Sequence, residues 1–207
     1  MSPVETMAPV DKPRGLQERI RDSRLGTVLV LAVTAALVMA GAYWVDRPAA
    51  AEPGVQAVQL TGSGDGPAPR IGSPAQDFTA TTVDCKSVSL SSYKGQAVWL
   101  TFGATWCAAC QAEAPDVEAA YQKTKAGGAV VLMVFISEDS ATVRDYADRV
   151  GLTFPKIADP DTRIASAYRV NGIPAHYFID RSGVLRSMET GGLSPEKMDA
   201  SIAAVSK

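Results

Sequence analysis

Thr101-Phe102-Gly103-Ala104-Thr105-Trp106-Cys107-Ala108-Ala109-Cys110 is a short apolar run that ends in two cysteines separated by two small residues. The residues leading into it, Ala97 to Phe102, are rich in β-formers and stop at Gly103-Ala104, which reads as a buried strand leaving a sheet. Ala108 to Lys125, rich in Ala, Glu, Gln and Lys, reads as a helix. The cysteine pair therefore falls at a strand-to-helix junction. The first helical turn there presents unpaired N–H groups and the positive end of the helix dipole, both of which favour a thiolate. Cys107 is placed to feel this, so its pKa is expected below the ordinary value of about 8.5, and the thiolate is the attacking species in disulfide exchange. Cys110, facing the interior, is the expected resolving thiol. The rival use of Cys-X-X-Cys, half a zinc site, needs about two further ligands. Beyond the pair the chain offers Cys85 and one histidine, His176.

Trp106-Cys107-Ala108-Ala109-Cys110 resembles the active site of thioredoxin-fold proteins. Cys110-Gln111-Ala112-Glu113-Ala114-Pro115 is similar to the start of the active-site helix in the membrane-anchored TlpA/ResA-type thiol-disulfide oxidoreductases, with Pro115 at the position of that family's helix-kinking proline. Phe154-Pro155, Asp159, Gly172-Ile173-Pro174 and Phe178-Ile179-Asp180-Arg181-Ser182-Gly183 resemble the family's later blocks in order and spacing, so the likeness runs from about Ile71 to Lys207. It implies a thioredoxin-like α/β fold: a central mixed β-sheet flanked by helices, with an N-terminal β-hairpin and an inserted helix.

The chain has 207 residues, 46 % of them apolar, and a net charge of -2, enough for one ordinary domain and an additional segment. The near-neutral balance gives no reason to expect nucleic acid. The additional segment is 25–45, an apolar run without a charge that is long enough to cross a hydrocarbon core of about 30 Å as a helix. Lys12, Arg14, Arg19, Arg21 and Arg24 precede it, and only Arg47 lies in the twenty residues after it. The positive-inside bias then puts residues 1–24 in the cytoplasm as a short tail and the C-terminal domain outside, giving a single-pass protein of the cell membrane. A cleaved signal peptide with Ala49-Ala50-Ala51 as its small-residue site competes with this signal-anchor. The charged region and apolar core are both longer than usual for one, an ordinary signal core being roughly 7 to 15 residues. Residues 46–70, rich in Pro and Gly and poor in apolar periodicity, are expected to be a flexible linker.

Residues 71–207 form the expected domain. Phe78 to Val83 and Ser87 to Leu90 read as a hairpin turning at Asp84-Cys85-Lys86, where the resemblance usually has glycine in place of Cys85. Cys85 reads as a lone thiol in a turn. Ala129 to Ile136 is continuously apolar, as for a central strand covered on both faces. Ser140 to Val150 and Thr162 to Arg169 read as helices, the former with Ser140 as its N-cap; Pro155 ends the loop between them. Ala175 to Asp180 and Val184 to Glu189 read as a second hairpin, and Ser194-Pro195 starts a terminal helix.

Pro174 precedes an apolar strand whose ladder it cannot join. The resemblance implies that it is cis, that its loop packs over the disulfide, and that the backbone of Ile173 pairs with an extended substrate segment. Trp106 is expected to shield one side of the disulfide and offer a contact surface. His176, two residues past Pro174 in a strand, is expected to be passive, since disulfide exchange needs no imidazole. Thioredoxins keep a buried aspartate six residues before the first cysteine, and Thr101 stands there; the resemblance to ResA-like proteins implies a glutamate in the first hairpin instead, and Thr81 stands at that position. No buried carboxylate is therefore expected beside Cys110, with Glu113 facing solvent or capping a neighbouring loop. The chemistry needs no cofactor and no metal. Resemblance implies reduction of protein disulfides outside the membrane, apocytochrome c among them, with electrons from a membrane thiol carrier. Three other uses of such a fold compete. A thiol oxidase would run the same exchange backwards. A thiol peroxidase has a Pro-x-x-x-Thr/Ser-x-x-Cys setting that is absent around Cys107. A copper-chaperone-type module needs a Cys-x-x-x-Cys pair, one residue longer than this spacing.

Overall fold

A computed structural model describes residues 24–45, 59–60 and 67–207. The expected tail, apart from Arg24, and most of the expected linker lie outside the described residues. The chain divides into two units, Met1–Ala50 and Ala51–Lys207.

In the first unit, helix α1 (Arg24–Val45) has 22 residues and spans about 33 Å at 1.5 Å per residue. It is long and apolar enough to cross a membrane. Its Val28, Leu29, Leu31, Leu37 and Val38 side chains are exposed, as suits a helix whose solvent is lipid. The Thr34 hydroxyl donates to the Val30 carbonyl one turn back, so even this polar group is satisfied within the helix.

The second unit holds two sheets. Strands β1 (Gln59–Leu60), β2 (Phe78–Thr81) and β3 (Ser87–Ser89) form a small antiparallel sheet in that order. The pairing of Gln59 with Thr79 and of Leu60 with Phe78 corrects the expectation that 46–70 carries no structure. Cys85 sits in the β2–β3 turn with φ 61°, and its N–H donates to Thr82 O at 2.9 Å. That left-handed backbone explains why glycine suits the position.

The main elements then follow as β4 (Val98–Gly103), α2 (Ala108–Thr124), β5 (Val130–Ile136), α3 (Ser140–Val150), β6 (Lys156–Asp159), α4 (Arg163–Ala167), β7 (Ala175–Ile179), β8 (Leu185–Thr190) and α5 (Pro195–Val205). The five strands of the main sheet run in the order β6-β5-β4-β7-β8, with β6, β5 and β4 parallel and β7 and β8 antiparallel to their neighbours. This is the expected mixed sheet of a thioredoxin-like fold.

One strand went unread in the sequence, and one expected cap is overturned. Lys156–Asp159, left unassigned in sequence, is an edge strand buried along its whole length. The N-cap of α3 is Asp139, whose carboxylate accepts from Ala141 N and Thr142 N at 2.9 Å; Ser140 is the first helical residue.

The sheet alternation sorts the core. Trp99, Val131, Met133, Phe135 and Phe178 face α2, α3 and α5, burying Ala114, Val117, Val143, Met198 and Ile202. Leu100, Phe102, Leu132, Val134, Tyr177 and Ile179 face the opposite side, against Phe78, Leu90 and the α4 residues Ile164 and Ala165. Thr101 and His176 stand opposite each other across β4 and β7, in the layer of Trp99 and Phe178.

Candidate functional site

The central strand β4 ends at Gly103, and Cys107 caps the helix that follows. Its backbone is extended (φ -83°, ψ 109°), and its sulfur accepts from Cys110 N at 3.2 Å, the role an N-cap side chain plays for an otherwise unpaired helical N–H. Cys107 and Cys110 are joined in a disulfide with Cα atoms 5.2 Å apart. Cys107 is 9 % exposed and Cys110 1 %, so attack from outside reaches Cys107 first. Gly103 makes the close approach possible. A Cβ there would stand 3.4 Å from the Cys110 Cβ and Sγ and 2.6 Å from Met133 Cε.

The Ile173–Pro174 peptide is cis, as the resemblance implied, and Cys107 Sγ lies 3.9 Å from Ile173 O. Ile173 and Ile136 pack around the pair, while Trp106 projects outward at 62 % exposure. Cys107, Cys110, Trp106, Ile173 and Pro174, picked out in sequence, are thus brought together.

Glu138 was not picked out. It is buried, and its carboxylate accepts the Thr105 N–H at 2.9 Å and the Thr105 hydroxyl, while the Gln111 amide donates to Thr105 O. These bonds fix the loop between Gly103 and Cys107 from both sides. A signal existed: β4 and β5 run parallel, so the acids that follow β5 at Glu138-Asp139 emerge at the same sheet edge as Cys107.

Glu113 meets one of its two expected placements, and His176 lies in a buried polar cluster. Glu113 does cap a neighbouring loop, accepting Leu193 N–H at 3.2 Å, but it is 6 % exposed and does not face solvent. The active-site helix therefore carries a buried acid one turn beyond Cys110. His176 is fully buried, with Nε2 3.6 Å from Glu113 Oε1 and 3.2 Å from Gly191 O. Its Nδ1 accepts from Trp99 Nε1 at 3.3 Å and lies 3.1 Å from Thr101 Oγ1. Burial pushes the Glu113 carboxyl up to about 7; the Leu193 N–H opposes this and Asp116 adds to it. Burial pushes His176 down to about 4, partly offset by Gly191 O and Glu189, so the imidazole is neutral at pH 7. The Thr101 position, empty of charge in sequence, thus abuts a histidine that the fold brings to it.

Residues 71–188 match the AhpC/TSA family. Among similar proteins, the thiol-disulfide oxidoreductase ResA of Geobacillus kaustophilus is 33 % identical over 135 residues, covering 65 % of this chain and 78 % of that one. The protein of the same name from Bacillus subtilis is 30 % identical over 123 residues, covering 59 % and 69 %. Among solved structures, a putative thiol:disulfide interchange protein DsbE from Chlorobium tepidum superposes with a TM-score of 0.63 at 26 % identity, over 68 % of this chain and 100 % of that one.

Proposed function

Because this chain belongs to the AhpC/TSA family and is a thiol-disulfide oxidoreductase acting on protein thiols, we propose that it works outside the cytoplasm as a membrane-anchored reductase of protein disulfides. Cys107 is the nucleophile and Cys110 the resolving thiol. The observation that carries this assignment is the difference between the two sulfurs: Cys107 accepts the Cys110 N–H at the helix start and is the more exposed, whereas Cys110 is sealed beneath it.

In the reduced protein, the Cys107 thiolate attacks one sulfur of a substrate disulfide. A Cys107–substrate bond forms, and the substrate's other sulfur leaves as a thiolate that takes a proton. Cys110 loses its proton and attacks Cys107 Sγ; the mixed bond breaks and the substrate departs as a dithiol. Two electrons have passed to the substrate and the Cys107–Cys110 disulfide remains. Ile173, beside Cys107, offers its backbone to an extended substrate segment, and Trp106 offers an exposed aromatic surface. A membrane thiol carrier returns the electrons, and apocytochrome c is the substrate that the family resemblance suggests. Helix α1 anchors residues 71–207 through the linker, with the arginine-rich residues 1–24 in the cytoplasm.

Trapping tests the roles. Cys110→Ala should retain substrate covalently on Cys107 after incubation with membranes, in a complex that dithiothreitol releases, and Cys107→Ala should retain none. Equal trapping by the two variants refutes the assignment.

A further inference from the structure

The buried carboxylate of Glu138 does more than hold a loop. We infer that Glu138 is a positioning residue for the exchange equilibrium: it keeps an unneutralised negative charge behind Cys107, so that the thiolate is disfavoured, the disulfide is the preferred form and the reduced pair gives its electrons away. The inference deepens the reductase reading and rests on it, because it names the group that sets that direction.

A short, closed path joins the charge to the nucleophile. Ala104, Thr105, Trp106 and Cys107 form a tight turn, closed by Cys107 N–H donating to Ala104 O at 3.2 Å. Thr105, the second residue of that turn, has its N 2.9 Å from Glu138 Oε2 and gives its hydroxyl to Oε1. Two Cα–Cα steps of about 3.8 Å separate Thr105 from Cys107, so the carboxylate stands on the order of 10 Å from the sulfur, one Debye length at about 0.1 M salt. The presentation of the acid is fixed from its own side as well. Ser137, immediately before it, takes a left-handed conformation at φ 57°, and its N–H donates to Asp159 O at 2.9 Å. A serine held in that conformation carries a steric cost, and it turns the chain out of β5 toward Thr105.

The charge has no counter-ion. Both oxygens of Glu138 receive donors, which suits an ionised carboxylate, a group that only accepts. Among the described residues no lysine, arginine or histidine forms an ion pair with it. The charged groups nearest to it on α3 are committed elsewhere. Asp139 accepts from Ala141 N and Thr142 N at the helix start, and Arg149 lies over the Tyr146 ring, 5.6 Å from its centre. Burial pushes the Tyr146 phenol up; Arg149 opposes this and Glu138 adds to it, so the negative charge is felt by its neighbour on α3. Glu138 is 7 % exposed, which leaves little water to screen it.

The consequence falls on the redox equilibrium. Reduction adds two electrons to the pair and breaks the Cys107–Cys110 bond. Cys110 takes up one proton, and Cys107 is left as a thiolate. The disulfide is neutral, so a nearby anion costs only the reduced form. The start of α2 pulls the other way, through its unpaired N–H groups and its dipole. The two act on one sulfur: α2 makes the thiolate available, and Glu138 limits how far it is stabilised, which keeps Cys107 nucleophilic and reducing.

The test separates charge from hydrogen bonding in the full chain in detergent. The protein is equilibrated at pH 8 with dithiothreitol and its cyclic disulfide, which supply and remove both electrons, and the reduced fraction is read by alkylation of free thiols. Glu138→Gln keeps the shape and both contacts, its oxygen accepting the Thr105 N–H and its amide donating to the Thr105 hydroxyl, but removes the charge. Its equilibrium constant for reduction should rise about three- to tenfold, and iodoacetamide should reach Cys107 at lower pH. Glu138→Asp keeps the charge and shortens the reach, so its constant should stay within about twofold of wild type. A larger shift in the aspartate variant, or a constant that fails to rise in a folded glutamine variant, overturns the inference. Should the glutamine variant fail to fold, the aspartate variant decides alone. Trapping on Cys107 by Cys110→Ala is read separately, so failure of the functional reading and failure of this inference are told apart.

Discussion

Glu113→Gln should remove a pH-dependent cost that the native fold carries. An unfolded glutamate ionises near 4.5, whereas in the folded domain burial moves Glu113 to about 7. Between those values the folded state binds more protons than the unfolded one, so stability falls as pH rises through this window and the cost is complete above pH 7. At about 1.4 kcal/mol per pH unit, the displacement from 4.5 to about 7 corresponds to roughly 3.5 kcal/mol in all, of which about 2–3 kcal/mol falls between pH 5 and 8, and the side chain's 6 % exposure leaves little water to screen it. Glutamine has the same shape, keeps an oxygen for Leu193 N–H and never ionises. His176, displaced in the opposite sense, gains the protein stability as pH rises through 4 to 6.5, but it is present in both chains and cancels in the difference. Urea unfolding of the oxidised full chain, followed by tryptophan fluorescence at pH 5, 6, 7 and 8, measures the gap between variant and wild type. The gap should widen in favour of Glu113→Gln by roughly 2–3 kcal/mol from pH 5 to 8, or about 1–2 M in urea midpoint. A gap that stays constant, or that closes with rising pH, refutes the buried acid.

Other substitutions probe the surrounding frame. Gly103→Ala pushes a methyl against Met133 Cε and the Cys110 sulfur; because the Met133 end is flexible, thermal unfolding should register a loss of only about 1–3 kcal/mol, while Cys110-dependent release of mixed disulfides slows severalfold. An unchanged release rate would show that the contact is not felt. Asp159 accepts from Arg163 N at 2.8 Å, Ile164 N at 3.3 Å and Ala165 N at 2.9 Å, so Asp159→Ala should cost about 3 kcal/mol by leaving buried N–H groups unpaired, and Asp159→Asn less. Cys85→Gly relieves the left-handed backbone in the β2–β3 turn and should raise the denaturant midpoint by an amount equivalent to about 0.5–1 kcal/mol, without altering exchange activity.

The site is held from three directions, each with its own physical means. Glu138 fixes the loop before Cys107 through the Thr105 N–H and hydroxyl. Ile173 O lies beside Cys107 Sγ at 3.9 Å. Beneath the helix, Trp99, Thr101 and His176 form a hydrogen-bonded layer against Glu113. On the outer side Trp106 meets solvent beside the cysteine pair.

The sequence by itself determined what depends on neighbouring residues. The apolar run into Gly103 and the small residues around two cysteines specify a strand, a sharp exit and a helix start, and with them the N-terminal position that distinguishes Cys107 from Cys110. The uncharged stretch 25–45 specifies a membrane-length helix by composition alone. The continuous apolar run from Ala129 to Ile136 marks an interior strand of the sheet, covered on both faces. Tertiary structure decided what depends on residues far apart in the chain. Lys156–Asp159 is too short, and too close behind Pro155, to announce itself, and it becomes a strand only because β5 supplies a partner edge. Glu113 reads as one more polar residue of a helix; its burial comes from Leu193, 80 positions away, and from His176 on β7. The partners of His176 are hidden in sequence because Trp99 and Thr101, which meet its ring, lie 77 and 75 positions distant. Local propensity acts along the chain and can be read there, whereas the ionisation of a buried group is set by whatever the completed fold packs against it.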